Sequence, residues 1–173
     1  ILDLGHSGYL NTVKNAFIYT SKKFNMTPND SELEKWDENW QNLSPFPEVS
    51  DGLNTLSKKF ALIALSNGEQ KFLNHLCKNR IKFNFQKIIS VEEVSSFKPH
   101  SGVYRKASLI SGYKLSEIMM ISANTFDTLG AKSCGMEAAY IDRYNLPYEE
   151  CHEMLKPDYV VKDFTELANK LVD

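Results

Sequence analysis

Polar side chains follow three short apolar runs of this 173-residue chain, and each set is suited to a recognisable chemistry. Ser66-Asn67-Gly68 offers hydroxyl, amide and backbone N–H donors, which together suit an anion. Lys98 precedes a proline, which holds its backbone outside the helical region, and its ammonium can pair with a buried carboxylate. Ser122-x-Asn124-x-x-Asp127 combines a hydroxyl, an amide and a carboxylate.

Each set also has an ordinary structural explanation. Ser, Asn and Gly favour the junction between a strand and a helix, and an isolated lysine usually lies in solvent. Ser122 or Asn124 can cap a helix that carries Asp127 in its first turn. A magnesium site is disfavoured, because Asp127 is the only acid between Glu117 and Glu137 and hard cations need several carboxylate oxygens. Ser122 as a hydrolase nucleophile lacks the G-x-S-x-G context.

The elements that must position these residues indicate a doubly wound α/β fold. Short runs that are apolar on both faces occur at about 60–65, 87–91, 118–121, 138–141 and 159–161. Helical stretches alternate with them at about 49–59, 69–79, 101–112, 126–134 and 164–172. Strands buried on both faces belong to a parallel sheet, whose ligands bind at the carboxyl ends of the strands. The candidate residues follow three of these strands, so we expect them at one edge.

The first part of the chain has a different pattern of apolar residues. Apolar residues at three- and four-residue steps predict two helices, the second capped by Asn29, Asp30 or Ser31. The apolar positions are Leu10, Val13, Ala16, Phe17 and Thr20 in the first helix, and Leu33, Trp36, Trp40 and Leu43 in the second. Pro45 and Pro47 then break the pattern and predict a hinge.

Composition excludes several classes of partner. Apolar residues make up 42% of the chain and charged residues 24%, with a formal charge of −2, so neither nucleic acid nor an anionic membrane is an expected partner. No apolar run approaches the roughly 18 residues of a membrane span. The three cysteines form no C-x-x-C pair, which indicates reduced thiols and a cytoplasmic location.

Several ordered stretches resemble the haloacid dehalogenase (HAD) superfamily, and more narrowly its L-2-haloacid dehalogenase (type II) branch. They are ALSNG (64–68), SSFKPHSGVYRKA (95–107), MMISANTFDTLGAKSCGMEAAYIDR (119–143) and PDYVVKDFTEL (157–167). PFPEVSDGL (45–53) also resembles the return from that branch's helical cap into its core. The resemblance covers about residues 9–172, and three motifs in order are far more specific than one. It implies part of a helical cap over 1–46 and a Rossmann-like core over 47–173.

The resemblance implies a hydrolysis that uses neither metal nor other cofactor. An aspartate attacks the halogen-bearing carbon of a small (S)-2-haloacid, and water then hydrolyses the ester to release a 2-hydroxy acid. By motif position, Lys98 would keep the attacking aspartate ionised, and Asp127 would activate the water. The resemblance also implies a homodimer. The remaining site residues that it implies are Tyr104, Ser122 and Asn124 in the polar shell, and Ser66, Asn67 and Phe126 around the substrate.

Two departures from the family pattern leave alternatives open. Magnesium-dependent phosphatases of the superfamily begin their third motif with an acidic pair, and Ser122 occupies that first acidic place. This departure favours dehalogenation over the alternative, a phosphate-ester hydrolase. The nucleophile motif, Asp-x-x-Gly-Thr on a first strand, is absent, and Asp3 is a poor substitute because no Gly-Thr follows it. We therefore expect an N-terminally truncated, inactive chain that lacks its first strand, whose parent is the enzyme. A non-catalytic remnant is the third possibility.

Overall fold

The structure, a computed structural model, describes residues 8–149 and 151–172. It opens with a helix pair, α1 (Tyr9–Lys23) and α2 (Asp30–Gln41). The two helices contact through stacked rings of Phe17 and Trp36, whose centroids lie 6.0 Å apart. Asn29 caps α2 in a reciprocal capping box with Glu32, as one of the three predicted caps.

The predicted apolar face of α1 is partly wrong. Ala16 and Thr20 are exposed, whereas Ser21 is the buried residue of this helix. Leu10, Val13 and Phe17 of the predicted stripe are partly buried. The rings of Tyr9 and Phe17 make the aromatic contacts of this helix, with Trp40, Phe97 and Trp36, and Ala16 and Thr20 remain in solvent.

The remaining elements alternate as the sequence predicts, with shifts of one to three residues at most boundaries. The apolar run at 60–65 shifts to 63–66, because Phe60 and Ala61 are exposed and lie outside the strand. The helix predicted at 69–79 ends early and continues as a π-helical turn over Leu76–Ile81. The elements are α3 (Val49–Leu56), β1 (Ile63–Ser66), α4 (Gln70–His75), β2 (Lys87–Ser90), α5 (Ser101–Ser111), β3 (Met119–Ser122), α6 (Thr125–Ser133), β4 (Glu137–Ile141), β5 (Tyr159–Val161) and α7 (Phe164–Val172).

All strand pairs are parallel, which confirms the predicted α/β class. Strand β1 pairs with β2, with Ala64 opposite Ile88. A separate sheet has the order β3-β4-β5, with Met120 opposite Ala138. Within the part of the chain that the structure describes, β1 and β3 do not pair with each other. The single predicted sheet is therefore divided in two.

Helices cover both faces of the strands, as a doubly wound fold requires. On one face, α3 and α7 bury an aliphatic cluster around Leu56, Ile141 and Leu167. On the other face, α5 and α6 bury Tyr104 and Ala131. No helix within the described ranges is long and apolar enough to cross a membrane.

The segment between α2 and α3, which contains both hinge prolines, is held to the strand ends. Arg143 follows β4, forms an ion pair with Glu48 and places its guanidinium carbon 3.8 Å from the ring centre of Phe46. Arg80 donates to the backbone carbonyls of Asn42 and Leu43. These contacts attach the segment that follows α2 to the α/β part.

Candidate active site

The three polar sets meet where β1 and β3 end. Lys98 Nζ donates to Asp127 Oδ2 at 2.8 Å, and the backbone N–H of Lys98 donates to Asn67 Oδ1 at 2.8 Å. Ser122 Oγ donates to Asp127 Oδ2 at 3.1 Å. Lys98 thus contacts Asn67, 31 positions before it, and Asp127, 29 positions after it. Parallel strands that share one carboxyl edge bring such distant residues together.

Lys98 and Asp127 form a buried ion pair at the centre of this group. Their side chains are only 9% and 4% exposed. The ammonium also donates to the backbone carbonyl of Leu65 at 3.3 Å, so β1 fixes its position. The resemblance implies an attacking aspartate as the partner of this lysine, whereas the partner in the structure is Asp127.

Tyr104 supports Asp127 from α5. Its side chain is fully buried, and its hydroxyl lies 3.3 Å from both the backbone oxygen and Oδ1 of Asp127. Burial, reinforced by the negative charge of Asp127, raises the pKa of Tyr104 far above the ordinary tyrosine value. The phenol is therefore a neutral hydrogen-bond donor at physiological pH.

Gly130 permits this arrangement of α5 and α6. A Cβ atom at this position would lie 2.5 Å from the Tyr104 hydroxyl and 2.8 Å from Cβ of Pro99. Only glycine leaves room for the tyrosine and the proline on the next turn of α6 after Asp127. The glycine therefore sets the spacing on which the contact between Tyr104 and Asp127 depends.

Ser66 and Asn67 provide the β1 side of the site. Ser66 Oγ accepts a hydrogen bond from Gly68 N at 3.2 Å, which leaves the hydroxyl proton free to donate. The Asn67 side-chain oxygen is occupied by the backbone of Lys98, so its amide N–H groups are the part that can bind a ligand. Both residues are half-buried at the end of the strand.

Asn124 and Phe126 lie at the solvent side of the group. Asn124 occupies the position before α6, but its side chain makes no capping hydrogen bond. Asn124, one of the two predicted candidates, is therefore the N-cap residue of α6 by position, and its backbone N–H donates to Ser122 Oγ at 3.1 Å. The Phe126 ring is 39% exposed. These two residues are exposed, whereas Asp127 and Tyr104 are buried.

Sequence reasoning missed Glu69, which directly follows the Ser-Asn-Gly set. Its Oε1 accepts from the backbone N–H of Leu10 at 3.1 Å, so it binds the first turn of α1. Its second carboxylate oxygen is buried without a hydrogen-bond partner among the described atoms. Burial and then the charge of Glu69 raise the pKa of Tyr9. An acidic residue immediately after a predicted anion-binding turn was the signal that could have drawn attention to it.

The donor set does not resemble a cation site. Within residues 8–149 and 151–172, no three His, Cys, Asp or Glu side chains come together in a way that could hold a metal ion. The Asp127 carboxylate is already paired with Lys98. Asp3, the weak candidate for the attacking carboxylate, lies outside the described residues.

Parallel strands covered on both faces, with polar residues at their carboxyl ends, define a Rossmann-like α/β protein. A family model described as haloacid dehalogenase-like hydrolase matches residues 9–141. That match covers more than half of the chain, which therefore belongs to the haloacid dehalogenase-like hydrolases.

Curated relatives give a finer picture. Haloacetate dehalogenase H-2 of Moraxella sp. (strain B) is 29% identical over 149 residues, covering 85% of this chain and 66% of its own length. The (S)-2-haloacid dehalogenase of Pseudomonas fluorescens is 28% identical over 162 residues, covering 92% of this chain and 70% of its own length. The chain thus spans about two thirds of the length of these relatives. The pyrophosphatase PpaX of Halalkalibacterium halodurans is 29% identical over 85 residues, only 49% of this chain.

Solved structures agree on the fold. L-2-haloacid dehalogenase from Xanthobacter autotrophicus, with chloropropionic acid covalently bound, has a TM-score of 0.83 and 25% identity, covering 95% of this chain and 76% of that chain. Another L-2-haloacid dehalogenase has a TM-score of 0.91 at 23% identity and supports the fold alone. A predicted phosphoglycolate phosphatase from Haemophilus somnus 129pt gives 0.71 at 19% identity.

Proposed function

We propose that the chain carries the polar site of a hydrolase that converts small (S)-2-haloacids into 2-hydroxy acids and halide. The observation that carries this proposal is the buried ion pair of Lys98 and Asp127 at the carboxyl ends of β1 and β3. The positive charge next to Asp127 comes from a lysine side chain. Such an ammonium group suits chemistry on a carboxylate, and the site then needs no divalent cation. The names of the curated relatives support the same substrate class.

The proposed reaction has two steps. A carboxylate oxygen attacks the carbon that bears the halogen, the carbon–halogen bond breaks, and halide leaves as an enzyme-bound ester forms. Water then attacks the ester carbonyl and loses a proton, which releases the 2-hydroxy acid and regenerates the carboxylate. Neither step needs an oxidant or a reductant.

We assign the roles from position and exposure. Lys98 holds the attacking carboxylate in its ionised form, and Asp127 orients the water for the second step. The free donors of Ser66 and Asn67 bind the carboxylate of the substrate. Phe126, which is exposed beside this group, contributes an apolar wall.

The remaining residues act on Asp127 and its turn. The neutral phenol of Tyr104 and the hydroxyl of Ser122 both lie within hydrogen-bond distance of the Asp127 carboxylate, and we assign them to fixing its orientation. Asn124 is exposed at the beginning of α6 and has its side-chain amide free toward solvent. We assign that amide to the leaving halide or the substrate, because a neutral donor suits an anion.

The attacking carboxylate needs a separate source. Asp127 is already paired with Lys98, and its carboxylate also accepts from Ser122, so it is poorly placed to attack. We assign the nucleophile to an additional strand beside Lys98, between β1 and β3.

A chimera tests the proposed function. A segment of the Xanthobacter autotrophicus enzyme that supplies an attacking carboxylate is joined ahead of Ile1, and chloride release is measured with (S)- and (R)-2-chloropropionate. We expect chloride from the (S) isomer only, and none after Lys98→Met. A folded chimera that leaves both isomers intact would refute the proposal.

A phosphate-ester hydrolase is the second candidate, supported by the similarity to PpaX and to the predicted phosphatase. The same chimera is therefore assayed with p-nitrophenyl phosphate and magnesium. Turnover of this ester without chloride release would replace the first proposal with the second. If a well-folded chimera turned over neither substrate, a non-catalytic protein would be the better conclusion.

Two further expectations belong to this proposal. We infer a homodimer, which light scattering of the purified protein can test, since a monomer at all concentrations would contradict it. We also infer a cytoplasmic location, because the cysteines at positions 77, 134 and 151 are free thiols. Fractionation of the source cells measures it directly.

A further inference from the structure

A cleft opens beside β4 and β5, next to the segment that joins the two strands. It has a volume of about 560 Å³, within the roughly 300–1,000 Å³ that is usual for small-molecule sites. Among the described residues, those that line it include none of the candidate active site. We call it the β4–β5 cleft, and its lining includes Tyr140, Asp142, Leu146, Tyr148, Glu149 and Val160.

The floor of the cleft follows from the pairing of the two strands. Tyr140 lies opposite Val160 in the parallel ladder, so their side chains share one face of the sheet. Ile141 and Val161, the next residues of the two strands, belong to the aliphatic cluster on the other face. Tyr140 is only 4% exposed, whereas Val160 is 54% exposed. The floor therefore contains an apolar strand residue that is left open to solvent.

The wall of the cleft is held by α6. The rings of Tyr140 and Tyr148 meet edge to face, with centroids 5.1 Å apart. The Tyr148 hydroxyl lies 2.7 Å from Thr128 Oγ1, and Glu149 Oε1 accepts from Thr125 Oγ1 at 2.8 Å. Thr125 and Thr128 are neighbours on one face of the helix, because they are three positions apart. Two successive wall residues are thus bound to a helix, which gives the cleft a defined shape.

Asp142 brings an unsatisfied acceptor to the cleft. Its backbone N–H donates to Val161 O at 2.7 Å, so Asp142 continues β4, and its side chain lies on the same face as that of Tyr140, two positions earlier. Its Oδ1 atom is buried without a hydrogen-bond partner among the described atoms. Burial, and then the charge of Asp142, raise the pKa of Tyr140, so the carboxylate lies near this phenol. A buried carboxylate oxygen without a donor is costly, and the cleft therefore favours a ligand that supplies one.

The charges around the cleft favour a cation. Asp142 and Glu149 both line it, and the lining ammonium, that of Lys156, already pairs with Glu153 at 2.6 Å. Arg143, next to Asp142, is held in the ion pair described above. A bare metal ion suits the cleft poorly, because within residues 8–149 and 151–172 no three His, Cys, Asp or Glu side chains come together to hold one. An organic cation is therefore the class of ligand that these charges favour.

The remaining surfaces define the ligand more closely. A primary ammonium group carries N–H donors for a carboxylate oxygen, whereas a quaternary ammonium group has none. Tyrosine rings attract cations as well. Leu146 and Val160, both exposed, offer apolar area to the rest of the molecule.

We propose that the β4–β5 cleft binds a small primary amine with an apolar body. The ammonium group donates to the Asp142 carboxylate, and the body packs against Tyr148, Leu146 and Val160. The site does not depend on the proposed function.

Benzylamine, which is protonated at neutral pH, tests the proposal. Amide chemical shifts of the isotope-labelled 173-residue chain are followed by nuclear magnetic resonance as the amine is added. We expect saturable shifts, and about tenfold weaker binding of benzyl alcohol, which has the same ring and no charge. Absence of saturable shifts with benzylamine overturns the proposal, and equal binding of the alcohol overturns the role of the charge.

The positions of the shifted amides locate the ligand. The amides of Asp142, Tyr148 and Val160 should respond, because these residues line the cleft. The amides of Ala64 and Ile88, which face each other in the other sheet, are the controls and should change little. Saturable shifts confined to residues outside the cleft would overturn it as the site.

Asp142→Asn removes the charge of the acceptor and keeps its size. We expect benzylamine to bind about tenfold more weakly to this variant, and benzyl alcohol to bind about as before. Glu137→Gln is the matched control, because Glu137 is the exposed first residue of β4 and the change removes the same net charge at the other end of the strand. Equal losses in the two variants would show attraction to net charge alone and would overturn the contact with Asp142.

Val160→Lys gives an independent test that leaves Asp142 in place. Val160 is exposed on the edge strand of the described sheet, where lysine is well tolerated. The new ammonium group lies on the floor of the cleft and competes for the carboxylate, so benzylamine should bind at least about tenfold more weakly. Circular dichroism checks the folding of both variants. Undiminished binding to folded Val160→Lys would contradict the proposed position of the amine.

The outcomes are separate from those of the proposed function. Binding of benzylamine needs neither a haloacid nor the chimera. A chain that binds the amine while the chimera releases no chloride keeps the cleft and refutes the enzyme, and the reverse pair of results refutes the cleft alone.

Discussion

Breaking the ion pair of Lys98 and Asp127 should cost far more stability than breaking a surface pair. The two charged atoms are 2.8 Å apart, and the side chains are 9% and 4% exposed. At an effective dielectric constant of about 20, their attraction is about 6 kcal/mol. Desolvation offsets much of that attraction in the native protein, but a single substitution leaves the other charge buried and unpaired.

We therefore expect Lys98→Met to lower the free energy of unfolding by about 3–5 kcal/mol, and Asp127→Asn to lower it by a similar amount. The double variant should lose at least about 2 kcal/mol less than the sum of the two, because it leaves neither charge buried. Urea unfolding followed by far-ultraviolet circular dichroism measures all three, since most helices lie outside the altered site.

Lys14→Met is the matched control. The same substitution breaks a pair with Asp37 at 3.1 Å whose side chains are 32% and 46% exposed. Solvent screens such a pair, so the loss should stay below about 1 kcal/mol. The reasoning about burial fails if Lys98→Met costs no more than this control. It also fails if the losses of unfolding free energy caused by Lys98→Met and Asp127→Asn simply add in the double variant.

Three smaller predictions follow from the same region and from β4. Gly130→Ala should destabilise the chain by about 1–3 kcal/mol in urea unfolding, because the new methyl group overlaps Tyr104 and Pro99; an unchanged midpoint would contradict it. The raised pKa of Tyr104 gives stability that is complete below the ordinary tyrosine value of about 10 and is lost as the pH rises above it, so Tyr104→Phe should lessen alkaline destabilisation. Burial acts to raise the pKa of Asp158, but hydrogen bonds from Lys132 and the β4 backbone hold it below its ordinary value. That contribution is present above a pH of about 4 and lost as the pH falls, so Asp158→Asn should show a shallower acid loss in urea titrations.

The position of the site could be predicted from the sequence because it depends on a general property of parallel sheets. Apolar runs followed by Ser66, Lys98 and Ser122 are enough to place these residues at one edge, whatever the detailed packing. The family motifs make this prediction more specific, because they fix the order of the three polar sets along the chain. The structure places Lys98 next to Asn67 and Asp127, in agreement with this expectation.

The partner of Lys98 could not be predicted in the same way. Its contact with Asp127 depends on how closely α5 approaches α6, and that distance depends on Gly130. The sequence shows that a glycine lies in a helical stretch, but it does not show which neighbouring residue occupies the space that a side chain would fill. Likewise, Phe60 is as apolar as a strand residue but lies in solvent. The periodicity of apolar residues in a sequence does not show which elements pack over an apolar run.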